Sequence, residues 1–195
     1  MGLGPCHDEF MGRLTVLALA LCALLQAQTD YASARRKIGV LQGDQAPAGS
    51  VIILSAAEVN AYVRREAAKV APDGLTGARV VLGVNRATGY ASVDFPKLRQ
   101  AQGKPMNRLL AWIVGGERPV RVDARIQSGQ GKALVDVKRV EVSGIVLSGG
   151  ALDWLIHRFL WTYYPEAKVG KTFELAHQIE RLEITPAAVR VVVGQ

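Results

Sequence analysis

Residues 118–126, RPVRVDARI, and residues 133–142, ALVDVKRVEV, decide the fold class, with the turn Ser128-Gly129-Gln130-Gly131 between them. In the first segment Val120, Val122, Ala124 and Ile126 alternate with Arg121, Asp123, Arg125 and Gln127. In the second, Val135 and Val137 alternate with Asp136 and Lys138. Strict alternation gives one packed face and one wet face, the habit of antiparallel sheets. The apolar parity then shifts to Val140 and Val142, because Lys138 and Arg139 place two polar residues in a row, and this predicts a β-bulge.

Outward from this hairpin, Val80, Leu82 and Val84 alternate with Arg79, Val81 and Gly83, and a turn over residues 85–89 leads into a partner strand at 90–95. Residues 51–54, VIIL, read as a short strand. Ser55-Ala56-Ala57-Glu58 has capping-box spacing, in which the Ser hydroxyl accepts from the Glu amide and the Glu carboxylate reaches back. Val59, Tyr62, Val63, Ala67 and Val70 continue at helical spacing until Pro72-Asp73-Gly74. Residues 97–102 read as a polar connector and 106–114 as a short helix. A second amphipathic helix, 150–163, carries Leu152, Leu155, Ile156, Phe159 and Leu160 along one stripe. A last hairpin pairs 173–185 with 189–193 across Pro186-Ala187-Ala188. The order predicts an α+β domain over 51–195, in which a curved antiparallel sheet of hairpins wraps one or two long amphipathic helices. Leu54-Ser55 and Leu147-Ser148 each precede a helix, a proline break and a hairpin. An internal duplication is one reading, and ordinary strand–cap–helix punctuation is the other.

The N-terminus reads as an export leader spanning residues 1–34. Residues 14–25, LTVLALALCALL, carry no charge, Arg13 precedes them, and QAQTDYASA follows. Twelve helical residues reach about 18 Å, short of a hydrocarbon core of about 30 Å, which favours a cleaved signal over an anchor. Cleavage is expected after Ala27 or Ala34, and translation starts at Met1 or at Met11. Leu21 before Cys22 disfavours a lipidated cysteine, and Arg35-Arg36-Lys37 argue against translocation of an uncleaved segment. Residues 35–50, ending in GDQAPAGS, read as a linker. These features place the protein in the periplasm or outside the cell, with membrane association open.

The two cysteines, Cys6 and Cys22, both lie in or before the leader, so the remainder has no disulfide, thiolate metal site or cysteine nucleophile. The chain of 195 residues carries 24 Lys and Arg against 17 Asp and Glu, a net charge of +7. In an exported protein such charge suits an anionic membrane surface or wall polymer rather than nucleic acid. Scattered surface charge explains it equally well.

No constellation for catalysis stands out. Pro165–Thr172, PEAKVGKT, has the tail of a phosphate-binding loop, but Pro165 replaces its first glycine. Gly129 and Gly131 are better read as a turn. His157 and His177 have no histidine at metal-ligand spacing, and Asp94, Asp123, Asp136 and Glu141 lie among cations as cross-strand ion pairs. No metal or cofactor is expected. Trp154, Phe159, Trp161, Tyr163 and Tyr164 cluster with Arg158 in eleven residues, either as core filling or as an amphipathic boundary.

The segments VIILSAAEVNAYV and GIVLSGGALDWLI, with the basic hairpin between them, resemble exported bacterial proteins of the tubular lipid-binding (TULIP-like) type. That resemblance implies an apolar groove between helix and sheet, lined by Val59, Val63, Leu152, Leu155, Ile156 and Phe159, with no catalytic residues. Arg121, Arg125 and Lys138 would contact an anionic head group. The expectation is therefore non-enzymatic binding of a lipid or other amphipathic ligand at the envelope. An assembly or scaffolding module, and a hydrolase with an unrecognised carboxylate pair, are the alternatives.

Overall fold

The computed structural model describes residues 26–101, 115–147, 149–150, 152, 170–175 and 178–195. The order among them is α1 (26–42), β1 (Val51–Ser55), α2 (Ala56–Val70), β2 (Leu75–Gly83), β3 (Arg86–Asp94), α3 (Phe95–Ala101), β4 (Glu117–Gly129), β5 (Lys132–Val142), β6 (Ile145–Leu147), β7 (Thr172–Glu174), β8 (Ile179–Ile184) and β9 (Ala188–Val193). The protein is α+β and wholly antiparallel, but it has two sheets in place of the one expected. The smaller runs β1-β9-β8, and the larger, open and curved, runs β2-β3-β4-β5-β6 with β7 also on β5.

The long hairpin forms as its alternation requires. Gln130 and Gly131, at φ of 54° and 71°, make a two-residue turn between β4 and β5. Across the hairpin Asp123 pairs with Arg139 while Ala124 pairs with Val137, so Lys138 is the extra residue of a bulge. The bulge keeps Val142, Val140, Val137 and Val135 opposite Val120, Val122, Ala124 and Ile126, all on one face. The β2–β3 turn is tighter than expected. Asn85 takes a left-handed φ of 53°, which Asn tolerates, and Arg86–Gly89 join the strand.

Four segments depart from the sequence reading. Residues 26–42, read as leader exit and linker, form α1. Its Ala34 (0 % exposed) and Leu41 pack with Leu54, Val191 and Val193, while Ile38 leans on the same core. The i, i+4, i+7 spacing of Ala34, Ile38 and Leu41 lays one apolar stripe on the small sheet. Residues 95–101, read largely as a connector, form α3, because the Asp94 carboxylate accepts from the Lys97 amide at 3.0 Å and caps it. Phe95 and Leu98 of α3 then pack with Ala71 and Val93 against one end of the large sheet. The segment 173–185 is not one strand: β7 pairs with β5 in the large sheet, and β8 pairs with β9 in the small one. Finally, the two strands of the internal echo occupy different sheets, β1 beside β9 and β6 beside β5. The expected helix at 106–114 lies outside the described residues.

Two side chains stitch the sheets and helices together. Asn60 of α2 donates to the Val80 carbonyl at 2.8 Å and accepts from the Val80 amide at 2.8 Å, filling the open edge of β2. Ser128 of β4 does the same for Leu182 of β8, donating to its carbonyl at 2.8 Å and accepting from its amide at 2.7 Å. Gly131 and Asn85 donate to Glu180 and Ile184 on that same edge, at 2.9 and 3.1 Å. The backbone groups at 180, 182 and 184 thus tie the small sheet to the turns of the large one. Replacing Asn60 or Ser128 with Ala leaves strand-edge groups without partners, and each change is expected to cost about 1–3 kcal/mol in urea unfolding.

Candidate functional site

At the N-terminus of α2 the capping box is present in full. Ser55 accepts from the Glu58 amide at 3.1 Å, and Glu58 accepts from the Ser55 amide at 2.7 Å. Glu58 is only 6 % exposed, yet its carboxylate collects more donors than the cap supplies. Ser33 donates to it at 2.6 Å, and the Lys37 ammonium lies 2.6 and 2.8 Å from its two oxygens. Lys37 also donates to the Ile53 carbonyl at 2.7 Å. Burial pushes the Glu58 carboxyl up, but the bonds from Lys37, Ser33 and the Ser55 amide outweigh it and hold its pKa at about 2. The carboxylate is therefore a structural joint between α1, β1 and α2.

Further along the same helix pair lies an open cleft of about 390 Å³, lined by Ala27, Gln28 and Tyr31 of α1 and by Ala61, Arg64, Arg65 and Ala68 of α2. Tyr31 organises one wall. Its ring stacks on Tyr62 at 6.2 Å, the Arg65 guanidinium sits 5.4 Å from its centroid, and its hydroxyl donates to Glu66 at 2.9 Å. Lys69 bonds both Glu66 and the Tyr31 hydroxyl, at 2.7 and 3.1 Å. Among the described residues no carboxylate pairs with Arg64 or Arg65.

The large sheet separates its chemistry by face. On one face Leu75, Ala91, Val93, Val120 and Val142 meet α3, and Val122, Ala124, Ile126, Val135 and Val137 continue the apolar surface. This second group is half-buried and lies outside the two buried clusters of described residues. Arg118, opposite Val93, shares the apolar face by strand parity. It is half-buried, and its Nε is buried with no hydrogen-bond partner. A buried N–H so placed is costly unless an acceptor meets it.

The other face is a charge lattice. Arg121 stands opposite Glu141, Asp123 opposite Arg139, and Arg125 opposite Asp136. The closest ion pairs run along the strands rather than across them: Arg121–Asp123 at 3.1 Å, Arg139–Glu141 at 2.8 Å, and Lys138 with Asp136. Arg79 packs over Tyr90 at 3.9 Å, with Arg121 beyond it.

The expected site residues therefore divide. Arg121 and Arg125 lie on the face opposite Val120 and Val122, Lys138 sits in the bulge, and the charges of Arg121 and Lys138 are already paired. Val59 is taken up by the core around Ala34 and Leu41, and Val63 is half-buried on α2. Leu152 is half-buried at the start of the expected second helix. Leu155, Ile156 and Phe159, and the aromatic residues Trp154, Trp161, Tyr163 and Tyr164, lie outside the described residues. Sequence reasoning passed over Arg118, whose parity with Val120 was legible, and the Arg64-Arg65 pair, whose partner wall needed α1. Among the described residues no three His, Cys, Asp or Glu side chains converge as a metal site, and no helix is long and apolar enough to cross a membrane.

No family model, curated protein or solved structure matches the chain.

The Glu58 joint makes a pH prediction. A carboxyl whose folded pKa lies below its ordinary value stabilises the fold above about 4.5 and loses that contribution as pH falls toward about 2. Wild type is expected to lose up to about 3 kcal/mol through this window, and Glu58→Gln to show a flatter profile from a lower starting stability. Urea midpoints at a series of pH values measure the difference.

Proposed function

We propose that the protein is an exported, non-enzymatic envelope protein that holds the apolar part of a lipid or another amphipathic molecule against the large sheet. The reading rests on one observation: a half-buried apolar face, with Val122, Ala124, Ile126, Val135 and Val137, ends at half-buried Arg118, whose Nε is buried with no hydrogen-bond partner. An acyl chain suits the valine surface, and a carboxylate or phosphate suits Arg118. The leader-like N-terminus supports binding outside the cytoplasm. The tubular lipid-binding arrangement, with amphipathic helices wrapped by the sheet, supplies the groove. The residues 155, 156 and 159 on the stripe of the expected second helix would form its other wall.

Native mass spectrometry of gently purified protein tests the reading. Wild type is expected to carry an extra mass that extracts into organic solvent. Val122→Glu should lose it, and Arg118→Gln should lose anionic adducts at least fivefold while keeping the wild-type circular dichroism and melting point. A clean apo mass from folded wild-type protein overturns the reading in favour of a scaffold that binds a protein or wall polymer.

A further inference from the structure

On the sheet face the charges of Arg121 and Lys138 are already paired, whereas those of Arg64 and Arg65 on α2 are not. Arg64 and Arg65 project from successive positions of α2, both are exposed, and no described carboxylate neutralises either. On this wall Lys69 and Glu66 pair at 2.7 Å, both bond the Tyr31 hydroxyl, and Arg35 is close enough to act on Glu66 as well. The cleft below the two arginines has a floor of alanines, Ala27, Ala61 and Ala68, and a volume of about 390 Å³. That is far more room than a single inorganic anion fills, and its floor makes no hydrogen bonds through side chains. A phosphodiester with glycerol carbons attached uses both features, the oxygens on the guanidinium forks and the carbons on the alanine methyls.

Position supports the same ligand. Ala27 and Gln28, which line the cleft, follow the uncharged run of residues 14–25 by two and three positions. Because residues 26–42 form α1 as part of the fold, residues 26–34 on this reading stay in the protein, against the expected cleavage after Ala27 or Ala34, and the uncharged run then leads to this cleft. We infer that the α1–α2 cleft is a docking site for the phosphate head group of an anionic membrane lipid, with Arg64 and Arg65 as its ligands and Tyr31 holding Arg65 in place. This site is separate from the apolar face of the large sheet. It orients the protein with α1 and α2 against the bilayer surface, whatever the sheet binds.

Vesicle partitioning of the full chain tests it. The uncharged run acts on any bilayer, so the readout is the ratio of affinities for vesicles of phosphatidylcholine with 30 % phosphatidylglycerol and vesicles of phosphatidylcholine alone. Two head-group contacts are each worth about fivefold, so Arg64→Gln with Arg65→Gln should lower the ratio about 30-fold. Ala68→Glu, at an exposed alanine of the floor, should lower it as well by placing a carboxylate in the cleft. Arg79→Gln with Arg121→Gln removes the same charge from the sheet face and should leave the ratio near wild type. Equal loss in both arginine pairs would overturn the site in favour of net charge, and so would a wild-type ratio near one. Full competition by millimolar inorganic phosphate would overturn the lipid assignment. None of these outcomes depends on an extracted adduct, so the cleft can fail while the sheet reading stands, and the reverse.

Discussion

A single buried carboxylate joins α1, β1 and α2. Glu58 occupies the third position of α2, where its own helix asks for a carboxylate to complete the capping box. The fold then adds Ser33 and Lys37 from α1, so one side chain satisfies donors from α1, from α2's cap and, through Lys37, the Ile53 carbonyl of β1. The desolvation cost of burying this charge is large, and only the full set of donors offsets it. That coupling makes α1 obligatory. Without Ser33 and Lys37 the carboxylate would be buried against the cap alone, and the apolar stripe Ala34–Ile38–Leu41 would leave the small sheet uncovered. Lys37 is partly exposed, so the joint keeps one end in water, which limits the penalty on the ammonium.

Free strand edges are the second constraint. Two small antiparallel sheets expose rows of unpaired backbone groups, and such edges invite association with other chains. Here polar side chains close them locally. Asn60 presents an amide to Val80 as a neighbouring strand would, and Ser128 turns its hydroxyl both ways toward Leu182. Since Asn60 sits one turn along α2 from Ala56, to whose carbonyl it also donates at 2.9 Å, the helix carrying the Glu58 joint also guards the edge of the large sheet. Among the described residues, the side chains of Ser33, Lys37, Glu58, Asn60 and Ser128 join α1, α2 and the two sheets, beside the backbone bonds at 180 and 184 and the apolar stripe of α1 on the small sheet.

What was legible in the sequence follows from how local its cause is. The capping box, the end of α2 at Val70, the long hairpin and the bulge at Lys138 are set by neighbours within a few residues, and each was readable. Helix α1 was not, because QAQTDYASA satisfies two grammars at once: small polar residues suit a leader's exit and also a helix whose stability comes from what it packs against. The division into two sheets was hidden for a related reason. Strand β7 is three residues long, and only its partner decides which sheet it joins. Of the candidate site, the apolar parity of the hairpin was readable and so was its cationic reverse face. That Arg121 and Arg139 there already had partners depended on side-chain geometry, and Arg118 was overlooked because it precedes Pro119 at the strand's start.

The separation of faces carries a consequence for any ligand. A strand turns successive side chains to opposite sides, so a molecule lying on Val120 and Val122 cannot also reach Arg121 without passing through the sheet. An amphipathic molecule on the apolar face must therefore find its counter-charge on that face, where Arg118 stands, or leave its polar end in water. The charge lattice on the reverse face serves a different end: opposite charges in register, with Arg79 laid on Tyr90, keep that face solvated and fix the strand pairing. The net positive charge of the chain is then no uniform property of its surface. Among the described residues it includes sheet cations already paired, such as Arg121, Arg139 and Lys138, and arginines with no carboxylate partner, such as Arg64 and Arg65 beside Tyr31, whose charge is open to a partner.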